Sequence, residues 1–381
     1  MRRCRPIALM TSVLSLWWAA GGQAQTFSPD AAHTGNETSN LVSTGYTTPA
    51  LHTSSPCGCQ QCACSPCRCG GYTMSDPQEV FVVGADYLLI RPHFSEAVAF
   101  AQGRQTATSL STRARELDFD YDSNFRAFIG FRTGGDEVRF TYSRISGETE
   151  VNGAVTQPGD FIIDPFGNLV GAVVVVDPSS GLFGTPLVGG DRIETRAEVE
   201  LNVYDLEFIR PFNLNSPCWW MSWSAGVRVA DIEQFYESSV TMGGLPVAYG
   251  DFSAEFVGAG PRLGLEARRY LANGDFGVFA RGYGSLLVGD YDVASSNTVN
   301  VPVTFVGSQS SSMTRLIPVA EAEFGGMWQP SDALKISAGW LFQSWFDLGT
   351  SGGGFGGFFT GADDGNTMSF DGLFIRTEVA F

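Results

Sequence analysis

The sequence is nearly devoid of lysine: Lys335 is the only one. Its 381 residues carry 23 Lys+Arg against 40 Asp+Glu, a formal charge of -17. A chain so short of positive charge lacks the basic footprint of nucleic-acid binding, so no nucleic-acid partner is expected. Histidine is almost as scarce, with only His33, His52 and His93. That inventory gives a Ser/His or Asp/His hydrolase little to work with, and no enzyme is expected. His93, at the start of a loop, reads as a surface residue rather than a general base. Charged residues make up only 17%, below the roughly 25% usual in soluble domains. Beyond the N-terminus no window holds about 18 uninterrupted apolar residues, which excludes mature membrane-spanning helices. Glycine pairs such as Gly282-x-Gly284 precede no helical pattern, so no phosphate loop and no cofactor are expected.

What is abundant is glycine (46) and phenylalanine (29). Residues 1–24 read as a secretory signal peptide. Arg2, Arg3 and Arg5 form the basic region, Ile7 to Ala20 the apolar stretch, and Gly22-Gln23-Ala24 the cleavage site. Residues 25–78 are rich in Ser, Thr and Gly without periodicity, the composition of a flexible tail. Within it Cys57, Cys59, Cys62, Cys64, Cys67 and Cys69 form three Cys-x-Cys units at five-residue spacing. Export implies an oxidising compartment and therefore disulfides. Immediate Cys-x-Cys neighbours pair poorly, which points to crosslinks between units or to disulfide-linked partner chains. Clustered thiolates also suit soft metals, and a reduced tail is the third reading. The spacing fits no zinc framework, and no metal site is expected.

From Glu79 the dominant signal is period 2, the mark of strands with two unlike faces. Ten such segments can be traced: 80–91, 117–132, 136–145, 194–209, 219–232, 251–270, 276–289, 315–328, 334–347 and 367–381. In the second, Phe125, Ala127, Ile129 and Phe131 alternate with Asn124, Arg126 and Arg132. In the fourth the phase inverts near Tyr204, which predicts a β-bulge. The connections alternate too. Short turns occur at Gly134-Gly135, 212–217, 272–275 and 329–333. Long loops are expected at about 92–115, 146–192, 241–250, 290–314 and 348–366. Long apolar-faced strands with short turns at one end and long loops at the other define an antiparallel transmembrane β-barrel of about ten strands (ten to twelve) across 79–381. Closure removes the sheet edges that lipid could not satisfy. Trp219, Trp220, Trp328 and Trp345 are expected in the aromatic girdles. Leu373, Ile375, Thr377, Val379 and Phe381 alternate to an aromatic C-terminus, the ending expected to engage the barrel-assembly machinery of a bacterial outer membrane.

At this point the chain resembles a known family. The residues that carry the resemblance are Gly84-Ala85-Asp86-Tyr87-Leu88 with Arg91-Pro92, then Arg126 to Arg132, and Tyr204-Asp205-Leu206-Glu207. Gly226-Val227-Arg228 and Gly258-Ala259-Gly260-Pro261-Arg262-Leu263-Gly264 complete the set. These are similar to the pore-forming outer-membrane proteins related to bacterial major outer-membrane proteins, over roughly 79–381. The resemblance implies a porin-like barrel in the outer membrane and supplies no catalytic residues. Passive passage of small solutes or ions is the expected function, with a non-conducting structural or surface-interaction barrel as the alternative. Small barrels are filled by side chains, whereas barrels of 16–18 strands hold a channel.

Parity then assigns candidate residues. Asp118, Asp120, Asp122, Glu198 and Glu200 are expected to line an acidic pore mouth. Arg126, Arg132, Arg139, Arg228, Glu321 and Glu323 are expected to carry the lumen charge. The series Asp118-x-Asp120-x-Asp122-x-Asn124 lacks the glycine and the terminal glutamate of a calcium loop.

Overall fold

The computed structural model describes residues 79–381, apart from 96–97, 107–108, 158, 172–190, 213–218, 272–274, 301–303 and 349–366. The expected signal peptide, the tail with Cys57 to Cys69, and the glycine-rich stretch at 352–359 lie outside the described residues. Among the described residues every regular element is a strand.

Ten strands close into one antiparallel barrel. They are β1 (Val80–Phe94), β4 (Asp122–Thr133), β5 (Asp136–Ala154), β8 (Arg192–Pro211), β9 (Trp219–Met242), β10 (Leu245–Tyr270), β11 (Phe276–Val299), β12 (Phe305–Ser331), β13 (Leu334–Trp345) and β14 (Met368–Ala380). Each pairs with its neighbours in chain order, and β1 closes the ring against both β4 and β14. At the seam Phe81 and Phe381 exchange two backbone hydrogen bonds of 2.9 Å. Four short strands, β2 (Val98–Gln105), β3 (Leu110–Glu116), β6 (Asp160–Ile163) and β7 (Leu169–Gly171), form a separate sheet in the order β3-β2-β6-β7. They come from the β1–β4 and β5–β8 connections, two of the expected long loops.

The ten expected segments and the ten barrel strands coincide, with four local differences. The second expected strand starts late: β4 begins at Asp122, and Phe119 before it is buried against Phe94, ring centroids 5.5 Å apart. The expected loop at 241–250 is a tight turn, because β9 and β10 continue to Met242 and from Leu245. Gly243 and Gly244 take φ +58° and +83°, the left-handed pair that a two-residue hairpin turn requires. Likewise β11 and β12 extend through most of 290–314. The bulge near Tyr204 does not exist: Val203↔Ala230, Tyr204↔Val229 and Asp205↔Arg228 pair in unbroken register.

The last three of these differences share a cause. From Trp219 to Val240 on β9 inward and outward positions keep their alternation while their chemistry changes. On β9 the outward residues Trp219, Met221, Trp223, Ala225, Val227 and Val229 are apolar, and of the next ones Asp231, Glu233, Glu237 and Ser239 are polar, with Phe235 the exception. Inward, Ser222, Ser224 and Arg228 give way to Ala230, Ile232 and Tyr236, interspersed with the buried Gln234 and Ser238. The row Tyr204–Val229–Ala259–Val288–Leu316 is the last apolar outward row. The next is Asn202–Asp231–Val257–Asp290–Thr314. Below that boundary the barrel is apolar outside and charged inside, as lipid demands. Above it, it is polar outside with a buried apolar core, as in a protein in water. That core includes Ile90, Val199, Leu201, Ile232, Phe252, Phe256, Tyr291, Ile317, Trp345 and Phe370.

Candidate functional site

Every second residue of the lower strands points inward, so charges spaced by two stack down one wall. Glu321 and Glu323 on β12 show this most plainly. Both are buried, and each meets three guanidinium groups. Glu321 accepts from Arg126 at 3.4 Å, Arg228 at 3.0 Å and Arg262 at 3.1 Å. Glu323 takes Arg126 at 2.6 Å, Arg281 at 3.3 Å and Arg376 at 3.3 Å. Asp86 bridges Arg126 at 2.8 Å and Arg376 at 2.7 Å. Arg228 donates to both oxygens of Asp205, at 2.7 and 2.8 Å, and Arg262 to Glu207 at 2.9 Å.

Nearer the short turns a second tier follows. Glu137 pairs with Arg132 and Arg139, Glu266 with Arg268 and Arg281, and Lys335 with Glu378 at 2.7 Å. Aromatic faces steady several cations: Arg262 lies 4.0 Å over Tyr283, and Arg268 4.0 Å over Trp220. Altogether eight carboxylates (Asp86, Glu137, Asp205, Glu207, Glu266, Glu321, Glu323, Glu378) face nine cations (Arg126, Arg132, Arg139, Arg228, Arg262, Arg268, Arg281, Arg376, Lys335). In a chain of net charge -17 the interior is thus close to balanced, and the acidic excess lies elsewhere. Buried ions are tolerable only when paired and well hydrogen-bonded; here every ion is paired, while Arg228 Nη1, Arg281 Nε and Glu378 Oε2 have no hydrogen-bond partner.

The network links side chains from β1, β4, β8, β9, β10, β11, β12 and β14. The apolar core sits directly above it. Where the two meet, Arg126, Arg228, Glu321, Ser143, Gln343 and Leu341 help to line a cavity of about 10 Å³, the room of a single water.

Of the expected lumen charges, Arg126, Arg139, Arg228, Glu321 and Glu323 are buried members of this network, and Arg132 lies at its short-turn end. The expected acidic mouth does not assemble. Glu198 and Glu200 point outward, because the buried parity of β8 runs Ala197, Val199, Leu201, Val203. Arg196 and Arg144 approach them from the outer surface. Asp118 and Asp120 are exposed in the segment before β4, and the Asp118 carbonyl accepts from Thr149 at 2.6 Å. Asp122 opens β4, half-buried. Trp345 is another correction. It faces inward and is fully buried, whereas Trp219 and Trp328 are exposed as girdle residues are. His93 faces outward against Asp371 on β14. The network residues not singled out from the sequence, such as Arg262, Arg281, Arg376, Glu207 and Glu378, share the inward parity of those that were, and parity alone could have found them.

A closed antiparallel barrel with an apolar outer belt, exposed tryptophans at its short-turn edge and a charged interior is an outer-membrane β-barrel protein. Residues 73–381 match the family described as Legionella pneumophila major outer membrane protein precursor. The chain belongs to that family, which places it in the bacterial outer membrane. Curated proteins offer no match. Solved structures similar to it include the outer membrane protease OmpT from Escherichia coli, at 12% identity and TM-score 0.39, covering 80% of this chain and 97% of that one. The Ralstonia pickettii toluene transporter TbuX is similar at 8% identity and TM-score 0.21, covering 80% and 90%. A Pseudomonas aeruginosa FadL homologue is similar at 7% identity and TM-score 0.20, with the same coverage. Likenesses this distant assign no activity.

Proposed function

We propose that this is an outer-membrane barrel held closed by its own side chains, a structural or surface-interaction protein rather than a standing pore. The observation that carries the reading is the interior itself. Glu321 and Glu323 tie five arginines from five strands across the lumen, beneath an apolar core. Small barrels are filled in this way. His93 stands outside the barrel, away from the buried charges, which supports a role without catalysis. In planar bilayers the purified protein should give no steady conductance, and a stable ohmic channel would overturn the reading.

A second reading, passive passage of small solutes or ions, is favoured by one feature: the lower lumen is polar and its plug consists of side chains only. Passage would then require the Glu321–Glu323 knot to part, giving brief openings that become frequent in Glu321→Ala/Glu323→Ala. Because Glu198 and Glu200 face outward, neutralising them should leave the selectivity of any such openings unchanged.

The chain enters the barrel at the short-turn end, beside Phe381 and the Gly134-Gly135 turn, which supports a periplasmic tail. Cys57 to Cys69 on that tail are proposed as crosslinking residues. Non-reducing electrophoresis should show larger species that collapse on reduction and vanish when the six cysteines are serines. Fully free thiols with stoichiometric bound metal would replace this reading by metal binding.

A further inference from the structure

Closing the barrel removes its edges, but the separate sheet β3-β2-β6-β7, drawn from two of the long connections, keeps two. At one of them β7 is only three residues long. At the other stands β3, the seven residues Leu110-Ser111-Thr112-Arg113-Ala114-Arg115-Glu116, which pairs with β2 alone. All seven are exposed. An edge of this length, free of proline and glycine, presents a row of unpaired N–H and C=O groups that can template another strand.

The pairing shows which groups those are. Thr106 N–H bonds the Ser109 carbonyl at 2.8 Å, so that pair is a hydrogen-bonded one. Antiparallel pairs alternate, and the next, Gln105↔Leu110, is therefore non-bonded. Gln105 N–H indeed turns the other way, to the Gly159 carbonyl at 2.7 Å. Leu110, and by the same alternation Thr112 and Ala114, aim their backbone groups away from β2. The side chains divide as well. Ser111, Arg113 and Arg115 share one face of β3, and Arg104 and Gln102 lie opposite Ser111 and Arg113 on β2. Asp160 occupies Arg104 at 2.6 Å. Among the described residues no carboxylate pairs with Arg113 or Arg115, although the chain holds 40 Asp+Glu.

We propose that β3 is a docking edge for an extended acidic segment of a second protein, which adds as a strand outside β3 and sets carboxylates against Arg113 and Arg115. Backbone bonds to Leu110, Thr112 and Ala114 supply affinity, and the arginine face supplies specificity. Residues two apart share a face, so the segment needs Asp or Glu at alternate positions. A second copy of this chain is the poorer occupant. In the fully overlapped antiparallel pairing of two β3 strands Arg113 faces Arg113, and like charges directly opposite destabilise a sheet. Two chains of charge -17 also repel. The proposal rests on the surface-interaction reading above and gives that reading its partner.

The test uses the full-length protein in nanodiscs and a fluorescent heptapeptide, Thr-Glu-Thr-Glu-Thr-Glu-Thr, followed by anisotropy. This peptide should bind. Its analogue with lysine for glutamate should not, nor should the acidic peptide N-methylated at its inner threonines. Arg113→Glu/Arg115→Glu should lose the acidic peptide and gain the lysine one. Thr112→Pro removes one free-edge N–H and keeps both arginines. It should weaken binding about fivefold to tenfold, the worth of one or two strand hydrogen bonds. Bound peptide should slow amide exchange at Leu110, Thr112 and Ala114 and leave Ser111 and Arg113 as they were. No binding to the wild type, or equal binding of the N-methylated peptide, would overturn the proposal. Attachment to phosphatidylglycerol vesicles that needs both arginines, with no peptide binding, would replace it by a lipid-phosphate contact. If a variant fails to assemble, the three peptides on the wild type still decide. Bilayer conductance is measured apart from this, so a failure of the closed-barrel reading and a failure of the docking edge are told apart.

Discussion

Replacing Glu321 with alanine should destabilise the barrel by about 3–5 kcal/mol, the usual cost of stranding buried charges by removing their partner. Arg126, Arg228 and Arg262 would be left facing one another, with Asp205, Glu207, Asp86 and Glu323 unable to serve all their donors. Equilibrium urea unfolding in lipid vesicles, followed by tryptophan fluorescence, measures this. The control is Glu255→Ala, an outward carboxylate on β10, which should change stability by no more than about 0.5 kcal/mol. Equal effects at the two positions would mean that the network contributes little to holding the barrel.

Trp345→Ala should cost about as much, roughly 3–5 kcal/mol, for a different reason. The side chain is 0% exposed and sits where the apolar core meets the charges, with Arg228 5.8 Å from its ring centre. Truncation removes its buried apolar surface and leaves a cavity that rigid strands cannot close. Trp219→Ala at the lipid edge should cost clearly less, since that ring is 45% exposed. The same unfolding measurement ranks the two, and a reversed ranking would return Trp345 to the membrane edge.

The contrast between these tryptophans shows where the sequence is legible. Period 2 located all ten barrel strands, because a lipid-facing side chain and a lumen-facing one differ sharply in chemistry. It also put Arg126, Arg139, Arg228, Glu321 and Glu323 inside. It misplaced Glu198, Glu200 and Trp345 because reading them needed a second fact, namely that the meaning of each face inverts above Tyr204 and Val229. Polar no longer signifies inward there, and an unbroken strand looks like a phase error. The tall hairpins at 241–250 and 290–314 were read as loops for the same reason. Their outward faces are largely polar, and only the strand pairing reveals them as sheet. Nor could one strand show that Glu321 collects arginines from three others, since that depends on closure.

The inversion of faces also fixes how deep the molecule sits. On β9 the lipid-facing run from Trp219 to Val229 rises about 26 Å for a strand tilted by about 40°. Asp231 and Glu233 follow at once, and on the neighbouring strands Glu200, Glu255 and Asp292 occupy the row beyond. Sinking by one rung would carry these carboxylates into hydrocarbon. Rising by one would lift Trp219 and Trp328 out of the opposite interface. The barrel therefore floats at a single draught, and a bilayer of another thickness must bend to meet it.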